Sequence, residues 1–366
     1  MSTILIVFTY AGYPLLITLL SAARKPPEPV DEETPVCVIV VAHNEQTRIA
    51  ARVRNLLASE YPPHLLRVLV VSDGSTDGTA ACIRELHEPR ATVLERTVRM
   101  GKAAGLNAGI AAVSEPVIVF TDARQTFAPD TIRRLVSRIG NPAVGAVSGE
   151  LTIESAADGT GRGVDAYWKL ERFIRARESL LDSCIGCTGA VYAIRRELFT
   201  PLPEDTVLDD VIIPMRIALA GKRVIHDSGA LAYDPQQLEP AAESRRKRRT
   251  LAGNFQMLFR YPRWLIPWKN RLWWQLIAHK YLRLLGPALL LAALGSSLLL
   301  CNNSIYRTAL LFQAAFYLLA ALGMLLPIRS KIVTLPAGFV FLNAAVVSAF
   351  WHYLVTPNPA RWQTKR

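Results

Sequence analysis

Leu66-Arg67-Val68-Leu69-Val70-Val71-Ser72-Asp73-Gly74-Ser75-Thr76-Asp77-Gly78-Thr79 is an apolar run that ends abruptly in turn-forming and helix-starting residues. A strand buried on both faces reads this way, and the Ser, Asp, Gly and Thr that follow are suited to a turn and a helix start. Working outward, the unit recurs. Val36-Cys37-Val38-Ile39-Val40-Val41 runs into Ala42-His43-Asn44-Glu45, with apolar residues at helical spacing from Ile49 to Leu57. Ala91 to Leu94 precedes Gly101-Lys102, and Val117-Ile118-Val119-Phe120 runs into Thr121-Asp122-Ala123-Arg124. Alternating strands and helices predict an α/β domain on a parallel sheet, where ligands sit beyond the carboxyl ends of the strands. The polar residues cluster at those ends. Neither the glycine-rich dinucleotide fingerprint nor a P-loop is present, so NAD-dependent hydride transfer and NTP hydrolysis have no motif behind them.

The chain of 366 residues is 51% hydrophobic and 20% charged, which excludes disorder. The apolar residues are concentrated. No charge interrupts Thr3 to Ala23, Leu284 to Tyr306 or Thr308 to Ile328, and between Ile332 and Arg361 only His352 is ionisable. Each run has the roughly 20 helical residues needed to cross a bilayer core. The first lacks Lys or Arg before it and is long for a signal peptide, so cleavage after Ser21-Ala22-Ala23 is not expected. Arg24 and Lys25 hold its far end in the cytosol, which predicts a multi-pass protein of the inner or plasma membrane with a cytosolic polar middle. Four spans would return the C-terminus to the outside, against the charge bias of Arg361, Lys365 and Arg366.

The net charge of +12 points to membrane rather than nucleic acid because of where it lies. Arg245 to Arg249, Arg260, Arg263, Lys269, Arg271, Lys280 and Arg283 are interleaved with Trp264, Trp268, Trp273 and Trp274, the composition of amphipathic helices in the headgroup layer. The five cysteines form no disulfide framework, and the single Cys184-x-x-Cys187 pair has no second pair or His cluster to complete a zinc site. Ionisable groups within the apolar runs, the mark of a transport pathway, are limited to His352.

Asp73, Asp122 and the pair Asp209-Asp210, with Lys102 and flexible Gly101 between, form an inventory suited to a diphosphate. Such a site needs carboxylates for a divalent cation, a cation for the phosphates, and a further carboxylate as base.

These segments resemble the membrane-embedded family 2 glycosyltransferases, a family with a GT-A catalytic domain that includes poly-N-acetylglucosamine, chitooligosaccharide, hyaluronan and cellulose synthases. The likeness runs from His43 to about Gln256. It implies an α/β GT-A nucleotide-diphospho-sugar transferase domain at 26–236 after an N-terminal transmembrane helix at 1–25. Basic, Trp-rich interface helices at 237–283 and about three transmembrane helices at 284–366 complete the expected chain. By resemblance, His43, Asn44 and Glu45 form the first nucleotide-contacting loop and Asp73 holds the uridine. Lys102, in a stretch with Asn107, contacts the diphosphate. Asp122 is the metal-binding start of the DxD motif. Gly186-Cys187-Thr188-Gly189, with Arg195, forms the acceptor-side loop. Asp210, with Asp209 beside it, is the catalytic base, and Arg245, Arg248 and Arg249 occupy the place of the family's QxxRW helix.

The activity so implied is inverting transfer from a UDP-sugar, such as UDP-N-acetylglucosamine or UDP-glucose, to a growing β-linked polysaccharide or oligosaccharide. Transfer of one sugar to a membrane lipid, either a prenyl phosphate or a glycolipid, is the alternative; a noncatalytic transport or assembly subunit is a second. Secretion of a polymer through so few spans calls for a second copy or a partner. Two departures from the family pattern stand out. Arg124 replaces the second acidic residue of DxD, so Mg2+ or Mn2+ rests on Asp122 and the donor phosphates, and Arg124 is placed to meet phosphate directly. In RRKRRT (245–250) the basic residues are kept without the Gln and Trp, which removes a stacking surface for an acceptor sugar and favours single transfer.

Overall fold

The structure, a computed structural model, describes residues 1–153, 162–234, 240–326, 328 and 330–356, with side chains described outside 162–168 and 240–244. Helix α1 (Ser2–Ser21) precedes β1 (Val36–Ala42), α2 (Gln46–Leu57), β2 (Leu66–Asp73), α3 (Thr79–Arg84), β3 (Ala91–Arg96) and α4 (Lys102–Ala111). There follow β4 (Val117–Thr121), β5 (Thr126–Phe127), α5 (Thr131–Gly140), β6 (Val144–Ile153), α6 (Arg162–Leu181), β7 (Tyr192–Arg195), α7 (Asp209–Leu219) and β8 (Arg223–Asp234). The chain ends in α8 (Pro240–Arg260), α9 (Trp273–Leu299), α10 (Ser304–Leu325) and α11 (Lys331–Val355). Among the described residues, contacts divide it into a sheet unit, 23–153 with 178–234, and a helical unit, 1–22 with 162–177 and 240–356.

The sheet unit is a GT-A-like α/β fold on one eight-stranded sheet of order β3-β2-β1-β4-β7-β6-β8-β5. The four strands expected from sequence form its parallel half, with Val36 opposite both Leu66 and Val117. Val38, Val40, Val68, Val70 and Val119 are fully buried, and Ile49, Val53 and Leu56 of α2 close over them. At about 1.5–3 kcal/mol per buried aliphatic side chain, this layer drives the fold. The other half is mixed: β7 runs antiparallel to β4 and β6, and β6 runs parallel to β8. These strands escape a hydropathy reading because polar residues cross-link them. Glu150 on β6 meets His226 on β8 at 3.1 Å, and a Cβ at Gly149 would lie 2.4 Å from the Ala230 carbonyl oxygen.

Among its described residues the helical unit contains four helices long and apolar enough to cross a membrane: Ser2–Ser21, Trp273–Leu299, Ser304–Leu325 and Lys331–Val355. The second such helix starts at Trp273, ahead of the apolar run that begins at Leu284, so His279, Lys280 and Arg283 lie in its first part. The uncharged run from Leu284 to Tyr306 is also broken after Leu299, because Asn303 caps α10, its Oδ1 accepting the Ile305 N–H at 2.9 Å. Basic α8 packs on α11 through Phe255 against Phe350 at 5.0 Å and Phe259 stacked on Tyr353 at 5.7 Å. Arg361, Lys365, Arg366 and the expected 236/237 boundary lie outside the described residues.

Candidate active site

The carboxyl ends of the parallel strands carry the site. After β1, Asn44 takes a left-handed φ of 56°, which Asn tolerates better than most residues, and its side-chain oxygen accepts the Thr76 N–H at 2.8 Å. His43 Nδ1 lies 2.8 Å from the Asp73 carbonyl oxygen, Thr79 Oγ1 accepts the Glu45 N–H at 2.9 Å, and Asp77 accepts the Gln46 N–H at 3.1 Å. His43, Asn44 and Glu45 are therefore brought together against the SDGSTDGT turn. Burial raises the Glu45 pKa, Arg48 opposes it, and the nearby Asp122 raises it further.

Asp73 is 3% exposed and works chiefly as a pin: it accepts the Gly101 N–H at 2.7 Å and the Met100 N–H at 3.1 Å, with Arg96 at 3.7 Å. It thereby fixes Gly101, whose φ of 98° suits glycine, at the start of α4. Lys102, the first residue of α4, reaches Asp122 Oδ1 at 2.9 Å and Asp209 Oδ2 at 3.6 Å. Asp209 and Asp210 open α7, where carboxylates favour the helix N-terminus. The loop Gly186-Cys187-Thr188-Gly189 lies against them: Cys187 donates its N–H to the Asp210 carbonyl at 2.8 Å, and a Cβ on Gly189 would stand 2.8 Å from Asp210 Oδ2. Lys102, Asp122, Asp209, Asp210 and this glycine loop thus form one constellation.

Asn107, Arg124 and Arg195 of the sheet unit spend their side chains on other partners. Asn107 spends both ends of its amide on Leu202, donating to its carbonyl at 2.8 Å and accepting its N–H at 2.9 Å, so it is a clasp. Arg124 is tied to buried Asp234, Nη2 to Oδ2 at 2.8 Å. Arg195 is a strut rather than part of the glycine loop, donating to the carbonyls of Val144, Ile139 and Asn141 at 2.9, 2.6 and 3.1 Å. Arg245, Arg248 and Arg249 lie on α8 in the helical unit. Cys184 and Cys187 are buried, and no group of three His, Cys, Asp or Glu suited to a metal occurs among the described residues.

Two contributors were not anticipated. Arg52 is 2% exposed, donates to Thr121 Oγ1 at 2.7 Å beneath the end of β4, and lies 4.3 Å over the Phe127 ring. Burial lowers its pKa to about 9 while Asp122 pulls it back up. Its sequence signal is a charge on the apolar stripe Ile49, Arg52, Val53, Leu56. Tyr192 is fully buried and its hydroxyl has no hydrogen-bond partner among the described residues. Burial first, then the charges of Asp209, Asp210, Cys187 and Asp122, hold its pKa well above that of a free tyrosine.

A divalent cation fits this donor set in one way. Asp122 offers a single carboxylate, and Mg2+ commonly binds one or two carboxylates with substrate phosphates and water rather than an all-protein cage. Arg124 offers nothing to a cation.

Residues 37–201 match the family described as Glycosyl transferase family 2. The chain carries a family 2 glycosyltransferase domain. The domain is similar to that of β-monoglucosyldiacylglycerol synthase from Synechocystis sp., 26% identical over 65% of this chain and 52% of that protein. It is also similar to poly-β-1,6-N-acetyl-D-glucosamine synthase from Staphylococcus aureus, 23% identical over 58% of this chain and 53% of that protein. The chain spans about half the length of the curated relatives it matches. Beyond the glycosyltransferase domain, the whole fold matches the mannosyltransferase PcManGT from Pyrobaculum calidifontis, solved with GDP-Man and Mn2+. The TM-score is 0.72 at 25% identity, covering 97% of this chain and 98% of that one. The matched segment, 37–201, carries Asp73, Lys102 and Asp122.

Proposed function

We propose that the protein is an inverting glycosyltransferase that moves one sugar from a nucleoside-diphosphate donor to a hydroxyl of a membrane-lipid-borne acceptor. The observation that carries this reading is Lys102 held between Asp122 and Asp209, beside Asp210 at the start of α7. The acceptor hydroxyl attacks the anomeric carbon in line, a C–O bond forms, and the bond from that carbon to the diphosphate oxygen breaks. Asp210 takes the hydroxyl proton, and Gly189 keeps the space beside its carboxylate open. Lys102 meets the negative charge that grows on the leaving diphosphate. A divalent cation, when bound by Asp122 and the diphosphate oxygens, would add charge neutralisation at that leaving group.

One feature favours single transfer over polymerisation: the basic stretch RRKRRT (245–250) on α8 has neither the Gln nor the Trp of the family's motif, so it offers no indole on which a growing glycan could stack. The donor base is open between uridine, implied by the resemblance of the SDGSTDGT turn, and guanosine, carried by the whole-chain neighbour. The test is nucleotide release by the detergent- or nanodisc-held protein against a panel of UDP- and GDP-sugars, with products weighed by mass spectrometry. One added sugar on lipid supports the reading, and a ladder of sugars replaces it with polymer synthesis. Asp210→Asn abolishes release while nucleotide affinity stays within a few fold; undiminished turnover in that variant removes Asp210 from the base role.

A further inference from the structure

Between α1, α9, α10 and α11 lies a cavity of about 940 Å³ lined almost wholly by apolar side chains, among them Ile6, Leu290, Phe316, Phe339 and Leu342. Its volume is at the upper end of small-molecule sites, which run from about 300 to 1,000 Å³. Its walls are helices apolar enough to span a bilayer, and hydrocarbon is the occupant that matches such a lining.

A buried ionic cluster adjoins the cavity along two of its walls. Leu170 of α6 lines the cavity, and the next residue, Glu171, is buried with three basic neighbours. His279 Nε2 is 2.9 Å from its carboxylate, Lys280 Nζ 2.7 Å and Arg283 Nη1 2.6 Å. Burial opposes ionisation of Glu171, but His279, Lys280 and Arg283 more than offset it and hold the carboxyl well below the usual range. Leu290 follows Arg283 by two helical turns, so the two share a face of α9, one in the ionic cluster and one in the cavity. Trp273 and Trp274 lie one to three turns before the cluster, and tryptophan prefers the headgroup level of a bilayer. The cluster is thus at headgroup depth and the cavity at acyl-chain depth. Lys280 keeps 19% of its side chain exposed and can reach a ligand without leaving Glu171.

We propose that this cavity binds an anionic phospholipid, with its acyl chains among Ile6, Leu290, Phe316 and Phe339 and its phosphate at Lys280 and Arg283. A basic pocket between membrane helices is the known chemistry of acidic headgroup recognition. The proposal stands apart from the transfer reaction, since none of these residues belongs to the Asp122, Lys102 and Asp210 constellation.

Native mass spectrometry of the full-length protein, released from nanodiscs containing equal phosphatidylglycerol and phosphatidylcholine, tests it. Phosphatidylglycerol is expected to stay bound in preference by about tenfold, and Lys280→Gln to cut that preference about fivefold. Ala293→Trp, which fills the cavity without touching the cluster, is expected to abolish retention while nucleotide binding is unchanged. If Lys280→Gln does not fold, the cavity-filling variant decides alone. Equal retention of the two lipids, or retention undiminished in Ala293→Trp, overturns the proposal. So does preferential retention of an added isoprenoid phosphate, which would assign the cavity to an acceptor instead.

Discussion

The ammonium of Lys102 lies 2.9 Å from Asp122 Oδ1, joining the first residue of one helix to the end of the central parallel strand. The same group is 3.6 Å from Asp209. Burial alone would lower the pKa of this lysine, but Asp122, then Asp209 and Asp210, outweigh it and raise the pKa above its ordinary value. Lys102 is therefore a fixed cation throughout the working pH range, in the position where a diphosphate would need one.

Lys102→Met is expected to lower kcat/KM for the nucleotide sugar by about 10²–10³, the usual cost of removing one preorganised group that meets charge developing in the transition state. It also leaves Asp122 and Asp209 facing each other without their shared cation. Nucleotide release and a melting curve taken together check this. A change in stability with unaltered turnover would make Lys102 a structural brace only.

Gly189→Ala probes the base without touching it. The added methyl would sit 2.8 Å from Asp210 Oδ2 and 3.3 Å from its Cβ, so the carboxylate must swing away. The expected result is a fall in kcat of about tenfold or more, at a cost in stability of roughly 1–3 kcal/mol. Nucleotide affinity, measured by calorimetry, should stay within twofold.

The acid limb of stability should depend on Asp227. Burial pushes its carboxyl up, but hydrogen bonds from Arg138, the Gly229 N–H and Arg134 outweigh this and depress the pKa below 3.8. A depressed folded pKa stabilises above the unfolded value and loses that stabilisation as pH falls through the folded one. Asp227→Asn should therefore cost about 2 kcal/mol at pH 7, since both arginines are partly exposed. The gap between variant and wild type should close as pH drops from about 5 towards 3. Thermal melts across that range measure it.

The parallel half of the sheet was legible because β1, β2 and β4 are buried on both faces, and such strands show as unbroken Val and Ile runs. The loops after them were legible because diphosphate chemistry needs Asp, Lys and Gly at strand ends. β6 and β8 were not, since Glu150, His226 and Asp227 break the apolar pattern and find their partners only in the fold, Glu150 and His226 in each other across the two strands and Asp227 in Arg134 and Arg138 of α5. Local sequence also could not distinguish residues that face the site from those that serve it indirectly. Asn107 lies five residues after Lys102 on the same helix, yet its partner is Leu202, and Arg124 lies two after Asp122, yet its partner is Asp234. Tyr192 looks like any β-strand aromatic until burial leaves its hydroxyl alone among acidic neighbours.

Arg124→Asp puts metal use to the test. In the native chain Asp234 is 3% exposed and is balanced by Arg124 at 2.8 Å, with Gln125 donating at 3.1 Å. Replacing the arginine leaves a buried carboxylate without its cation, which typically costs about 3–5 kcal/mol, and adds a second acidic side chain two residues beyond Asp122. A divalent cation answers both changes at once. The variant should melt well below wild type in EDTA and recover most of the loss with Mn2+ and nucleoside diphosphate, whereas wild type should shift far less. Pairing the change with Asp234→Asn removes the stranded charge, so the loss in EDTA should shrink and the Mn2+ response should persist. Equal Mn2+ responses in wild type and Arg124→Asp would mean that Asp122 and the diphosphate already make the complete site and that Arg124 has no bearing on the ion.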